Sequence, residues 1–67
     1  MNIQLLDVVV LARDLPEHGL KAGDHGAVVF VHTPDAFEVE FVLPSGYTQA
    51  LLTLTSDDLR PMSPMAR

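Results

Sequence analysis

The sequence contains no cysteine and no tryptophan, and only four of its 67 residues are lysine or arginine. Without cysteine the chain forms no disulfide and offers no thiolate to a structural zinc, which are the usual supports of so small a domain. The absence of cysteine is also typical of a reducing compartment. No apolar run approaches the ~20 residues that cross a bilayer, and no basic segment opens a signal peptide. We therefore expect a cytoplasmic protein without membrane contact.

The few cationic side chains are unevenly distributed. Residues 7–58 contain all nine carboxylates but only two cations, Arg13 and Lys21, so this part carries a net charge of −7 and the chain −5. Nucleic-acid affinity comes largely from Lys and Arg that neutralise phosphates, so we expect no nucleic-acid partner. The carboxylates either keep a small apolar domain soluble or form an acidic face for a basic partner.

The length of the chain permits one domain with a marginal core. Folding would bury about 60% of the unfolded surface, and the apolar share contributes about 95 kcal/mol at ~25 cal/mol per Å². Ordering the chain opposes folding by about 100 kcal/mol at ~1.5 kcal/mol per residue. Because these terms nearly cancel, we expect association with another chain to support the fold.

The hydrophobic pattern predicts strands along the whole chain. Apolar, β-branched or alternating segments occupy residues 7–13, 26–32, 37–43 and 48–54, and a short fifth strand is predicted around residues 60–62. The alternation is clearest in the third strand. There it places Glu38 and Glu40 in water and four side chains in a core: Phe37, Val39, Phe41 and Leu43.

The connections predict how these strands pair. Turn sequences at residues 33–35 and 44–46 predict two hairpins, so strands two to four form an antiparallel meander. Residues 56–59 predict a helical turn capped by Ser56. At Gly19 and Gly23 of the loop at residues 15–25, and at Gly26 just after it, we expect the backbone to turn or to approach a neighbouring strand. We expect Leu15 and Leu20 of this loop to fold back onto the core.

Together these elements predict an all-β fold, a small five-stranded SH3-like barrel with one short helical turn before the last strand. The domain covers residues 1–62, and residues 63–67 form a frayed tail. An OB-fold is the alternative, but the tight turn at residues 44–46 leaves no room for its usual helix.

Five segments carry a resemblance to a known family: DVVVL at 7–11, DLPEHGL at 14–20, GDHGAVV at 23–29, FEVEF at 37–41 and DLR at 58–60. The most specific part is the run LPEHGLKAGDHGAVV. The chain resembles the short, mostly bacterial proteins of the domain of unknown function 4926 family, from about residue 5 to residue 61. The resemblance implies an SH3-like barrel and carries no established activity, catalytic residue or cofactor. Residues 23–31 also resemble the KOW element of RNA-binding proteins, although without its basic residues.

Candidate catalytic and metal-binding patterns are weak. His18, His25 and His32 recur every seven residues, which has no geometric meaning outside a helix, so we expect no metal site. Ser45, Ser56 and Ser63 lie in a turn, at a cap and in the tail, and none has a nucleophile motif. Alternation alone explains the pair of glutamates on the third strand. We expect no enzymatic activity, no catalytic residue and no cofactor.

The second strand is apolar on both of its faces. If Val29 and Val31 face the core, then Val28 and Phe30 face outward. Val42 on the third strand and Leu51 on the fourth face outward by the same alternation. These four residues, Val28, Phe30, Val42 and Leu51, therefore predict an apolar interface patch. The alternative is a β-bulge that turns Val28 inward and leaves the other three scattered.

This pattern favours a non-enzymatic protein–protein interaction or accessory module, which self-associates or binds a separate chain. An antitoxin-like or immunity-like role is one form of such a function. Two alternatives stay open: a KOW-like nucleic-acid-binding module, and a small-ligand or metal site on the loop at residues 15–25.

Overall fold

One antiparallel sheet contains every strand that the structure describes. The structure, a computed structural model, describes residues 3–61. Its strands are β1 (Val8–Leu11), β2 (His25–Thr33), β3 (Ala36–Val42), β4 (Thr48–Thr55) and β5 (Leu59–Pro61). They lie in the order β4-β3-β2-β1-β5 and curl into a half-barrel. Short 3₁₀ turns occupy Pro16–His18 and Ser56–Asp58. The predicted all-β, SH3-like fold is confirmed, whereas the predicted tail at residues 63–67 lies outside the described residues.

The core fills the concave side of this sheet. Alternate residues of β3 point into it, as predicted, and β1, β2, β4 and β5 each contribute as well. The buried apolar residues are Ile3, Val9, Leu11, Leu15, Leu20, Val28, Phe37, Val39, Phe41, Leu54 and Leu59. The prediction that Leu43 joins this core is wrong. β3 ends at Val42, and Leu43 is exposed in the following turn, where its N–H donates to the carbonyl of Tyr47.

A β-bulge in β2 turns Val28 inward, whereas Phe30 faces outward as predicted. Val28 lies opposite Val39, but the next pair joins Phe30 to Glu38, so Val29 is an extra residue in the ladder. Val28 is fully buried, whereas Val29 is 36% exposed. The prediction that Val28 faces outward is therefore wrong, and the bulge that the sequence left open as an alternative is present.

The loop between β1 and β2 is ordered by its own backbone. Leu15 and Leu20 exchange two N–H to carbonyl hydrogen bonds of 2.9 and 3.1 Å, and both side chains are buried. This pairing needs the tight turn between them, where Gly19 has a φ of +71°. The predicted folding of both leucines onto the core is confirmed.

The second 3₁₀ turn is capped one residue earlier than predicted. The cap is Thr55 rather than Ser56, and the Asp58 carboxylate accepts a 3.0 Å hydrogen bond from the Thr55 N–H. Arg13 Nε also donates to Asp58 at 2.7 Å, which ties the end of β1 to the turn before β5. Partial burial opposes ionisation of Asp58, but these hydrogen bonds outweigh it, so the pKa of Asp58 lies below its ordinary value.

Gly26 leaves room in the core for the side chains of Val39 and Phe41, and a methyl group there should destabilise the protein. A Cβ atom at this position would lie 2.7 Å from Val39 Cγ1 and 2.8 Å from the Phe41 ring. We expect Gly26→Ala to lower the free energy of unfolding by about 1–3 kcal/mol, measured in urea. In the double variant with Val39→Ala the losses should be less than additive, because the shorter side chain makes room. Strict additivity would contradict the clash.

Replacing Asp58 should remove stability in a pH-dependent way. Because its pKa is lower in the folded protein, Asp58 stabilises the fold above its unfolded pKa of about 3.9 and loses this effect as the pH falls through the folded value. We expect Asp58→Asn to lower the free energy of unfolding by about 0.5–2 kcal/mol at pH 7. The difference from wild type should shrink below about pH 4.

Asp57→Asn is the matched control, since the Asp57 carboxylate has no hydrogen-bond partner among residues 3–61. Urea denaturation at pH 7, 5 and 3 would show the effect. A constant difference between wild type and Asp58→Asn across this range would contradict the assigned ionic role.

Candidate interaction site

The convex side of the meander forms a face that we call the outer face, defined by residues of β2, β3 and β4 that point away from the core. The register places two rows on it. In one row Glu38 of β3 lies between Phe30 and Thr53, and in the other Glu40 lies between Ala27 and Leu51. The outer face therefore combines carboxylates on its central strand with apolar side chains on the flanking strands.

Three of the four residues predicted as an interface are exposed on the outer face. Phe30 is 56% exposed, Val42 is 53% and Leu51 is 54%. Val28 is not among them because the bulge buries it. The predicted patch is also not continuous, since Glu38 and Glu40 stand between β2 and β4. The contact of these residues with a partner stays a prediction.

Val8 belongs to this surface, although the sequence pattern did not select it. It pairs with Ala27, is 46% exposed, and borders a shallow depression of about 300 Å³. The depression is lined by Val8, His25, Gly26, Ala27, Glu40 and Val42. The exposure of an apolar residue on β1 could have been predicted from the sequence. β1 consists of four apolar residues, and a strand with one buried face cannot bury all four side chains.

Hydrogen bonds orient both carboxylates on the outer face. Glu38 Oε1 accepts from His32 Nε2 and from Thr53 Oγ1, each at 2.9 Å, and these bonds lower the pKa of Glu38 below its ordinary value. Glu40 Oε2 accepts from Thr48 Oγ1 at 2.7 Å. The His32 ring also packs edge-on against Phe30, with ring centroids 4.8 Å apart. The outer face thus presents fixed negative charge beside apolar side chains.

A second concavity lies between the loop at residues 15–25 and the β3–β4 turn. This open cleft of about 410 Å³ is lined by Leu20, Gly23, Asp24, His25, Phe41, Val42, Leu43, Pro44 and Gln49. Two of its polar side chains already bond to the loop backbone. Asp24 Oδ2 accepts from the Lys21 N–H at 2.9 Å, and Gln49 Nε2 donates to the Gly19 carbonyl at 3.2 Å. These contacts hold the loop in place.

The histidines that recur in the sequence are not brought together. His18 ends the first 3₁₀ turn, His25 begins β2 and His32 pairs with Glu38. Among residues 3–61 no three His, Asp or Glu side chains are grouped so that they could hold one metal ion. Of the serines considered above, Ser56 donates its hydroxyl to Asp35, and Ser63 lies outside the described residues.

Among the described cationic side chains, Arg13 already forms an ion pair with Asp58.

No helix within residues 3–61 is long and apolar enough to span a bilayer.

Comparison with known proteins identifies the family. No curated protein and no solved structure shows significant similarity to the chain. The sequence profile of a family described as Domain of unknown function (DUF4926) matches residues 5–61, which is most of the chain. This match includes all five strands, the loop between β1 and β2 and both glutamates of the outer face. The chain therefore belongs to the DUF4926 family.

Proposed function

We propose that this protein is a non-enzymatic interaction module that binds a separate protein chain through its outer face. One observation carries the proposal. Phe30, Val42 and Leu51 are each more than half exposed on the same side of one sheet, around two carboxylates held by hydrogen bonds. Exposed apolar side chains gathered on a small domain are typical of a surface that a partner covers.

The two glutamates indicate the chemistry of that partner. Covering the apolar side chains would also remove water from Glu38 and Glu40, and an unpaired buried carboxylate is strongly unfavourable. The partner must therefore offer lysine or arginine next to its own apolar side chains. The net charge of −5 favours encounter with such a basic surface.

In this proposal, hydrogen bonds between polar side chains of the outer face hold its two glutamates in place before a partner binds. His32 and Thr53 both hold Glu38, and Thr48 holds Glu40, so little side-chain freedom is lost when a partner binds. A binding surface that is ordered in advance supports recognition. An accessory or antitoxin-like role, in which a small acidic protein covers a basic chain, is consistent with this chemistry.

Phe30→Glu should abolish partner binding and leave the fold intact, since Phe30 lies outside the core. A tagged wild-type protein would be used to capture a partner from the native host extract, followed by identification by mass spectrometry and repetition with purified components. Leu5→Glu is the matched control, because Leu5 is 55% exposed but lies before β1. The proposal fails if the partner binds Phe30→Glu as tightly as wild type, or if wild type captures no chain beyond a tag-only control.

Glu40→Gln should weaken the same complex about tenfold or more, because it removes the charge that a lysine or arginine of the partner would pair with. The affinity of the wild type should fall between 0.15 and 0.5 M salt, and that of Glu40→Gln should fall less. Glu17→Gln, in the exposed loop, is the control and should match wild type. Equal salt dependence of wild type and Glu40→Gln, measured by calorimetry, would argue against a basic partner.

A further inference from the structure

The two edges of the sheet are protected to very different degrees. β5 forms one edge, spans Leu59–Pro61 in the described part of the chain, and contains Arg60 and Pro61. β4 forms the other edge, is eight residues long, and contains neither a charged residue nor a proline. Natural edge strands are usually shortened, charged or interrupted by proline, because an open edge pairs with other strands. β4 has none of these three protections, and its one irregularity, an extra residue at Gln49 in the pairing with β3, lies near its start and leaves the ladder regular from Ala50 to Thr55.

The middle of β4 has a free backbone edge. Within residues 3–61 its only strand partner is β3, and alternate N–H and C=O groups of such a strand point away from that partner. The two ends have other contacts: Thr55 N–H donates to Asp58, and the Gln49 side chain donates to Gly19. Leu51 lies in the stretch between these ends and is 54% exposed.

We propose that two copies of this chain form a dimer by antiparallel pairing of their β4 strands, centred on Leu51. A two-fold axis normal to the sheet places Leu51 opposite Leu51 of the second copy and joins the two half-barrels into one continuous sheet. The pairs across the new ladder are all uncharged, because β4 contains only Thr, Gln, Ala and Leu. Cross-strand leucines and the added backbone hydrogen bonds supply the attraction.

Charge selects this edge, and not the outer face, as the place where two copies meet. Two outer faces packed against each other would bring Glu38 and Glu40 of one copy against the same carboxylates of the other. In the β4 pairing the two β3 strands are three strand spacings apart, or about 14 Å. That separation exceeds the Debye length of about 8 Å at physiological ionic strength, so repulsion between these glutamates is largely screened.

A second copy also suits β4 better than a basic peptide does. The strand presents no carboxylate of its own, so a lysine-rich or arginine-rich segment would gain no ion pair along the ladder. The edge and the outer face therefore have different occupants. The two surfaces meet at Leu51, whose side chain lies on the outer face and whose backbone lies at the edge. The dimer rests on the open backbone ladder and does not depend on the proposed partner of the outer face.

Single-cysteine variants test the pairing directly, because the natural chain has no cysteine. In the proposed dimer the Cα atoms of residue 51 are about 4.5–5.5 Å apart, within the range that a disulfide spans. Leu51→Cys should therefore form a disulfide-linked dimer under mild oxidation. Val42→Cys is the matched control, since Val42 is 53% exposed on the same face but at least about 14 Å from its copy.

Sedimentation gives an independent measurement on the unmodified chain. Wild type should sediment at twice its 7.3 kDa mass at about 100 μM, and Leu51→Lys should sediment as a folded monomer, because a central edge lysine blocks the pairing. A monomeric wild type would overturn the proposal, and so would equal cross-linking of Leu51→Cys and Val42→Cys. The combination Phe30→Glu with Leu51→Cys separates the two proposals, since it should lose the partner yet still form the disulfide.

Discussion

The strict alternation of β3 is the constraint on which the rest of the structure depends. This central strand of the meander sends Phe37, Val39 and Phe41 into the core and turns Glu38 and Glu40 outward. The neighbouring strands must adapt to its two faces. β2 has a glycine where the Val39 and Phe41 side chains fill the core, and it then inserts an extra residue. Because β2 is apolar on both faces, these adjustments to β3 decide which of its side chains face the core.

The same alternation organises the surface. The two glutamates stand in the middle of the outer face beside exposed apolar side chains, and polar side chains from β2 and β4 hold them by hydrogen bonds. Negative charge is thereby concentrated on the face, whereas the β4 edge carries none. In our two proposals, a small domain with a marginal core meets an identical chain at one surface and a chain of opposite charge at another.

Much of the fold followed from short-range patterns. The alternation of β3, the two tight turns and the glycines at positions requiring a positive φ are local properties, and they predicted the meander and the folded-back loop. The sequence did not decide whether β2 has a bulge, now seen at Val29. A fully apolar strand has no alternation that shows which of its sides faces the core. The sequence pattern did not predict that Leu43 is exposed, because the last residue of β3 depends on where the chain turns out of the sheet.

By itself the sequence determined the meander of β2, β3 and β4, the family, the acidic charge and the lack of any cysteine, because each of these depends on residue types and their local spacing. Only the tertiary structure decided that Val28 is buried, that glutamates divide the apolar patch, and that β4 stays at an edge of the sheet in the described part of the chain. Those properties arise from register and curvature, which join residues far apart in the chain. They turned a list of surplus apolar residues into two distinct surfaces.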